Sequence, residues 1–105
     1  MALRPINPVE LGAPRGFTNG MLAPLTGRML FVAGQTAADS DGHVEDADFT
    51  AQFELALRKA LLVVQAAGGR AEHVARMTIY VTDLAAYQSG RRALGDVWQR
   101  QMGSH

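Results

Sequence analysis

The stretch RMLFVAGQTA, residues 28–37, decides the predicted fold of this 105-residue chain. It contains an unbroken apolar run from Met29 to Ala33, which ends at Gly34 and Gln35. Because the run has no polar position that could face water, it predicts a central β-strand buried on both faces. Gly34 has no side chain and the Gln35 amide both donates and accepts, so the strand end could form the floor of a pocket. A plain bulge or a tight exit turn explains these two residues equally well.

Length and composition predict one compact domain spanning residues 1–105, with 48% hydrophobic residues to supply its core. Ten basic and ten acidic side chains give a net charge of zero, so no whole-chain field attracts nucleic acid or an anionic membrane. A small molecule or another protein is therefore the expected partner. The absence of cysteine excludes disulfides and Cys-ligated zinc and favours a cytoplasmic location. The sequence shows neither an apolar run of membrane-spanning length nor a secretory signal.

The chain before residue 46 predicts strands and turns. Residues 1–16 hold three of the four prolines and predict an extended or irregular arm that could pair at a sheet edge. Residues 17–23 have strand character, and the turn residues at 24–27 predict a β-hairpin with the central strand. The sequence DSDG at 39–42 predicts a surface turn. It has only a superficial likeness to a calcium loop, because the later ligands are not at the required spacing.

A helical pattern begins after Asp48. Apolar residues recur at three- and four-residue steps and predict one helix face packed on the core. Asp46 or Asp48 can cap the start, and Gly68 and Gly69 offer the left-handed exit that ends a helix. A cofactor groove is the less common explanation of such a stripe. Its members are Phe49, Phe53, Leu57, Ala60, Leu61 and Val64.

The remaining chain predicts one more strand and one more helix. Residues 74–82 alternate between apolar and polar side chains and predict a strand with one apolar face. A second amphipathic helix follows the cap at Asp83 and ends near Met102, and Gly95 weakens it by about 1 kcal/mol. The order β-β-α-β-α predicts an α+β fold, a two-layer mixed sheet with both helices on one face. Such a sheet keeps an unpaired edge, so further strands or oligomerisation are expected to cover it.

Few residues form a recognisable chemical pattern. His43, His73 and His105 are far apart in sequence and lack ligand spacing, so no metal site is predicted. Arg91 and Arg92 could hold a carboxylate through bidentate hydrogen bonds, although a solvated helix face is the commoner explanation. Physical arguments alone therefore reach an α+β domain with a possible pocket beside Gly34 and Gln35.

Five short motifs in register add a family resemblance. GF at 16–17, LFVAGQ at 30–35, DFTAQ at 48–52, AAGG at 66–69 and TIYVTD at 78–83 together closely resemble the RidA/YjgF family of reactive-imine deaminases. The resemblance implies a chorismate-mutase-like fold and a homotrimer with ligand clefts between subunits. For the catalytic branch it also implies hydrolysis of 2-imino or enamine acids to 2-keto acids and ammonia, with no cofactor.

The resemblance assigns ligand-binding positions to Phe17, Ala33, Gly34, Gln35 and Arg91. At three of them the chain departs from the family, which usually has Tyr at position 17, often Ser at 33 and Asn at 91. The family's carboxylate-binding Arg and water-associated Glu would follow position 105, so no catalytic residue is assigned within the chain. The expected domain is accordingly C-terminally incomplete, lacking two strands, or about 15–25 residues.

Three hypotheses about function remain open from the sequence. The first is a hydrolytic deaminase of reactive imines or a related small carbonyl-derived metabolite. The second is a trimeric small-molecule-binding module of the same fold that lacks catalysis, which the departures at Phe17, Ala33 and Arg91 favour. The third, a ribonuclease or translation inhibitor, receives little support from the zero net charge.

Overall fold

The computed structural model describes residues 3–45 and 48–105 and confirms the predicted α+β class. Its sheet has two short antiparallel strands, with Arg4 of the first opposite Leu22 of the second. Two single-turn 3₁₀ helices, at Val9–Leu11 and Ala71–His73, lie in the connections. The regular elements are β1 (Arg4–Ile6), β2 (Gly20–Leu22), α1 (Phe49–Ala66), α2 (Leu84–Ser89) and α3 (Arg91–Met102).

Helix α1 begins and ends where the sequence predicts. The Asp48 carboxylate accepts a hydrogen bond from the Ala51 backbone N–H at 3.0 Å, which satisfies a donor that the first turn leaves unpaired. At the other end Gly68 has φ +88°, and the Gly69 N–H donates to the Val64 carbonyl at 2.9 Å. The alternative cap, Asp46, lies outside the described residues.

The second predicted helix is present but divided in two. Asp83 caps α2 through a 3.0 Å hydrogen bond from the Ala86 N–H, and α3 ends at Met102 as expected. The division falls at Gly90, where a Cβ would lie only 3.0 Å from the Ala86 carbonyl oxygen. The absence of a Cβ at Gly90 permits this close backbone approach, which the apolar periodicity does not reveal.

The core lies where α1 packs against α3. Leu57 and Leu61, from the predicted stripe, are buried against Val97, which is 1% exposed. Phe49, at the start of α1, makes an edge-on ring contact with Tyr87 of α2. The prediction that the apolar stripe of α1 packs in the core is thus confirmed for Leu57 and Leu61. Met102 also belongs to this buried cluster, and the partly buried residues that pack around it are Phe53, Ala71, Val74, Met77 and Trp98.

The sheet differs from the prediction. Residues 28–37, predicted as a buried central strand, form no strand, and Phe31 is 85% exposed. The hairpin of residues 17–23 with that strand was also wrong, because β2 pairs instead with the N-terminal arm, which the sequence allowed as an edge partner. Residues 74–82 form no strand either, and the half-buried positions there are Val74, Met77 and Val81.

The reason for these errors is that strand propensity measures how well a side chain fits a pleated, half-buried surface. It does not guarantee a neighbouring strand whose backbone groups can complete the ladder. In the described part of the chain neither segment is paired with a neighbouring strand, so neither belongs to the sheet. The mixed sheet with two helices on one face is therefore absent from the described residues.

Candidate functional site

The predicted pocket residues Gly34 and Gln35 lie in an exposed segment between β2 and α1. A Cβ placed on Gly34 would meet nothing within 4 Å, so the backbone there is open to an approaching molecule. The half-buried Gln35 folds back, and its Nε2 donates to the Ala33 carbonyl oxygen at 3.2 Å. This bond uses one of two N–H groups and leaves the amide oxygen and the second N–H for a ligand.

The other predicted ligand-binding residues lie on different elements. Phe17 is in a bend before β2 and is 61% exposed, and Arg91 is the exposed first residue of α3. Among the described residues, no hydrogen bond or ion pair joins either side chain to Gln35. The structure thus brings Ala33, Gly34 and Gln35 together by sequence adjacency, and it leaves the remaining two as separate predictions.

One contact that the sequence analysis missed ties this segment to α1. The ammonium of Lys59 donates to the carbonyl oxygen of Thr36 at 2.9 Å and also to that of Ala38. Lys59 is the single lysine of the chain, beside nine arginines. A single lysine in the chain is a sequence signal that could have drawn attention to position 59. The helical periodicity shows only that Lys59 lies outside the apolar stripe.

The turn after this segment has the predicted form. The Gly42 N–H donates to the Asp39 carbonyl at 3.0 Å, and Asp39 Oδ1 accepts from the N–H groups of Asp41 and His43. The turn also brings ligand atoms of Asp39, Asp41 and His43 within 4.8 Å of one another, a proximity that sequence spacing alone did not predict. All three side chains are exposed and Asp39 Oδ1 already accepts two hydrogen bonds, so the cluster itself indicates an Asx turn.

The other two histidines, His73 and His105, line a cavity of about 450 Å³. The His73 ring accepts the Arg70 backbone N–H at Nδ1, at 3.0 Å, and His105 Nε2 donates to the Val74 carbonyl at 2.7 Å. Both rings are exposed, and each makes one hydrogen bond to the backbone. None of the five predicted ligand-binding residues lines this cavity. Its apolar wall consists of Leu3, Pro5 and Met21.

Comparison with known proteins decides the family. The family model described as Endoribonuclease L-PSP matches residues 10–105, which is most of the chain. The chain belongs to this family. The Endoribonuclease L-PSP family is the RidA/YjgF family, so the predicted resemblance is confirmed. Significant matches were found neither among curated proteins nor among solved structures.

The part of the chain that matches the L-PSP family contains the motif LFVAGQ. The match includes Phe17, the Gly34–Gln35 segment and Arg91, so all five predicted ligand-binding positions lie within it. Among the described residues, no helix is long and apolar enough to cross a membrane. The family membership therefore indicates which reaction to test. The structure shows the hydrogen bond that Gln35 makes to the Ala33 carbonyl oxygen.

Proposed function

We propose that the chain binds small 2-imino or 2-keto acids and hydrolyses the imine to a keto acid and ammonia. Its membership of the RidA/YjgF family is the observation that carries this proposal. In the reaction a water oxygen adds to the imine carbon, the carbon–nitrogen bond breaks, and the nitrogen leaves as ammonia. The step involves no change of oxidation state, so it requires neither an oxidant nor a cofactor.

The proposed ligand site is formed by Phe17, Ala33, Gly34, Gln35 and Arg91. The open space before Gly34 allows a planar imine or keto acid to approach the backbone. The unused N–H and oxygen of the Gln35 amide can hydrogen-bond a substrate oxygen or a water. The Arg91 guanidinium can pair with the substrate carboxylate in a fork geometry. These roles use polar groups that remain available at the surface.

The proposed assembly is a homotrimer with the ligand clefts between subunits. Three large side chains in the unpaired segments, Met29, Phe31 and Tyr80, are more than three-quarters exposed. Such exposed apolar side chains support the proposal that these segments contact another subunit. An assembly of this kind would also bring elements that lie apart in one subunit closer together across a cleft. Because the sequence has no cysteine, a reducing compartment such as the cytoplasm suits the protein.

The direct test generates an imino acid with an amino-acid oxidase in the presence of semicarbazide, which traps the imine before it hydrolyses in water. Active protein should accelerate keto-acid release and reduce trapping in proportion to its concentration. A heat-inactivated sample and a Gln35→Ala variant serve as controls. Trapping that is identical with and without the native protein would contradict the deaminase proposal.

The alternative is a non-catalytic binding module of the same fold, and Phe17 favours it. The family usually has a tyrosine there, and phenylalanine lacks the hydroxyl that could position water or substrate. Saturable binding of a 2-keto acid without any acceleration of imine hydrolysis would identify this second function. Specific cleavage of RNA by nuclease-free protein would instead favour the activity named in the family description.

A further inference from the structure

Lys59 has two hydrogen bonds to backbone carbonyls that lie just after Gln35. It projects from the middle of α1, and its half-buried ammonium donates to Thr36 at 2.9 Å and to Ala38. These carbonyls are one and three residues beyond Gln35. An ammonium has three N–H groups and no acceptor, so two of its donors are used on this one segment. Charge-assisted hydrogen bonds of this type are stronger than bonds between neutral groups.

The other hydrogen bonds of the segment from Ala33 to His43 are internal to it. The Ala38 N–H donates to Thr36 Oγ1 at 3.2 Å, and the Asp39 N–H donates to the His43 carbonyl at 2.8 Å. Within the described part of the chain, every other hydrogen bond made by residues 33–43 stays inside that segment. Lys59 is therefore its hydrogen-bonded attachment to the helical layer.

We propose that Lys59 is a positioning residue that fixes residues 34–38 against α1 and thereby orients the Gln35 amide for its ligand. This inference rests on the proposed function of the Gly34–Gln35 site. The geometry suits lysine, because a compact ammonium on a flexible stem can donate to two converging carbonyls without the planar fork of arginine. The side chain acts through the backbone carbonyls of Thr36 and Ala38.

Loss of the ammonium should free the segment and leave the helices intact. Lys59 lies outside the buried set formed by Leu57, Leu61 and Val97, so its replacement opens no cavity in the core. Without the two hydrogen bonds, Gln35 samples more orientations, and a ligand must then bear the entropic cost of ordering it. Affinity for a 2-keto acid should therefore fall while the α1–α3 packing remains.

The test compares Lys59→Met, which keeps the length of the side chain but removes its donors, with Lys59→Arg, which restores a cation. Arg58→Met is the matched control, because Arg58 is the exposed preceding residue of the same helix. Amide hydrogen exchange is measured at Ala38 and Asp39. In Lys59→Met it should accelerate about tenfold or more, with partial recovery in Lys59→Arg and no change in the control. Wild-type exchange rates at both amides in Lys59→Met would overturn the proposal.

The ligand titration separates this inference from the proposed function. Pyruvate, as the probe 2-keto acid, should bind Lys59→Met about tenfold more weakly than the wild type, and Lys59→Arg should recover part of the affinity. Unchanged pyruvate affinity in a variant whose segment exchanges faster would overturn the positioning role and leave the function standing. If the wild type itself binds no 2-keto acid, the proposed function is contradicted, and so is the role of Lys59 in positioning Gln35 for a ligand. The exchange rates then still show whether Lys59 attaches residues 34–38 to α1.

A second measurement covers the case in which Lys59→Met does not fold. Because the native protein has a single lysine, an amine-acylating reagent reports on one ε-amine besides the chain terminus. The engaged ε-amine of Lys59 should react about tenfold or more slowly than a free lysine and should reach the free rate after unfolding. A free-lysine rate in the folded protein would contradict the proposal.

Discussion

The carboxylate of Glu54 in α1 accepts a hydrogen bond from Arg100 in α3, with 3.0 Å between Oε1 and Nη2. Its other oxygen accepts from Gln101 Nε2 at 2.9 Å. The two hydrogen bonds, that from Gln101 first, lower the pKa of Glu54 below its ordinary value of 4.5. A single carboxylate thus joins the two helices that form the core.

This contact predicts an acid-sensitive contribution to stability. Because the pKa of Glu54 is lower in the folded than in the unfolded state, the unfolded chain binds more protons between the two values. The contribution is therefore complete above 4.5 and is lost as the pH falls through the folded-state pKa. Melting temperatures measured from about pH 7 to about pH 3 should fall less steeply at acid pH in Glu54→Gln than in the wild type. The control is Glu72→Gln, which alters the exposed ion pair between Glu72 and Arg70. If the melting temperature fell equally steeply with pH in the wild type and in Glu54→Gln, the contribution of Glu54 to stability would be contradicted.

The helical core predicts a sharp contrast between adjacent leucines. Leu61 is 5% exposed against Val97, whereas Leu62 is 59% exposed on the outer side of α1. Leu61→Ala should lower the free energy of unfolding by about 2–4 kcal/mol, since it removes buried methyl groups and leaves a cavity. Leu62→Ala should change it by less than about 0.5 kcal/mol. Urea denaturation of both variants measures the difference, and equal losses would place the core elsewhere.

The glycines predict a separation between folding and ligand binding. Gly34 has no atom within 4 Å of a Cβ position and no left-handed φ, so Gly34→Ala should fold with nearly wild-type stability. The added methyl group would occupy the space proposed for the ligand, and affinity for a 2-keto acid should fall about tenfold or more.

Gly68 has φ +88°, so Gly68→Ala should instead cost about 1–2 kcal/mol of stability. Calorimetric titration and thermal melts distinguish the two effects, and unchanged ligand affinity in Gly34→Ala would remove this position from the site.

The proposed carboxylate contact predicts different effects for two neighbouring arginines. Arg91→Ala should weaken 2-keto acid binding by about tenfold or more, because a charge-assisted hydrogen bond is lost. Arg92→Ala, at the following exposed position of α3, should leave the affinity within about twofold of the wild type. Titration of both variants with the same keto acid makes the comparison. Wild-type affinity in Arg91→Ala would exclude Arg91 from the site.

The helices could be predicted from the sequence because their signals are local. The apolar period from Phe49 to Val64, the Asp48 cap and the Gly68 exit each act within a few residues, and all three are observed. The break at Gly90 could not be predicted in the same way. It depends on how closely the Gly90 backbone approaches Ala86, which no periodicity reports.

The sheet and the site could be predicted only in part, because both depend on distant partners. The run from Met29 to Ala33 has the composition of a buried strand, but pairing needs a second backbone at the correct distance. Motif resemblance identified the family, and the Gly34–Gln35 ligand position stays a prediction. The attachment of this position by Lys59 is a contact across more than 20 residues of sequence, so it became visible only in the structure.

The most direct measurement of the central claim is a titration of isotopically labelled protein with pyruvate, followed by NMR. We expect saturable shifts at the backbone of Gly34, the side-chain amide of Gln35 and the backbone of Arg91, with a common dissociation constant. The signals of His73 and His105, which line a cavity that none of the proposed ligand-binding residues borders, should remain unchanged and serve as the internal control. Saturable shifts confined to the His73–His105 cavity, or no saturable shift anywhere, would contradict the claim that the Gly34–Gln35 segment binds 2-keto acids.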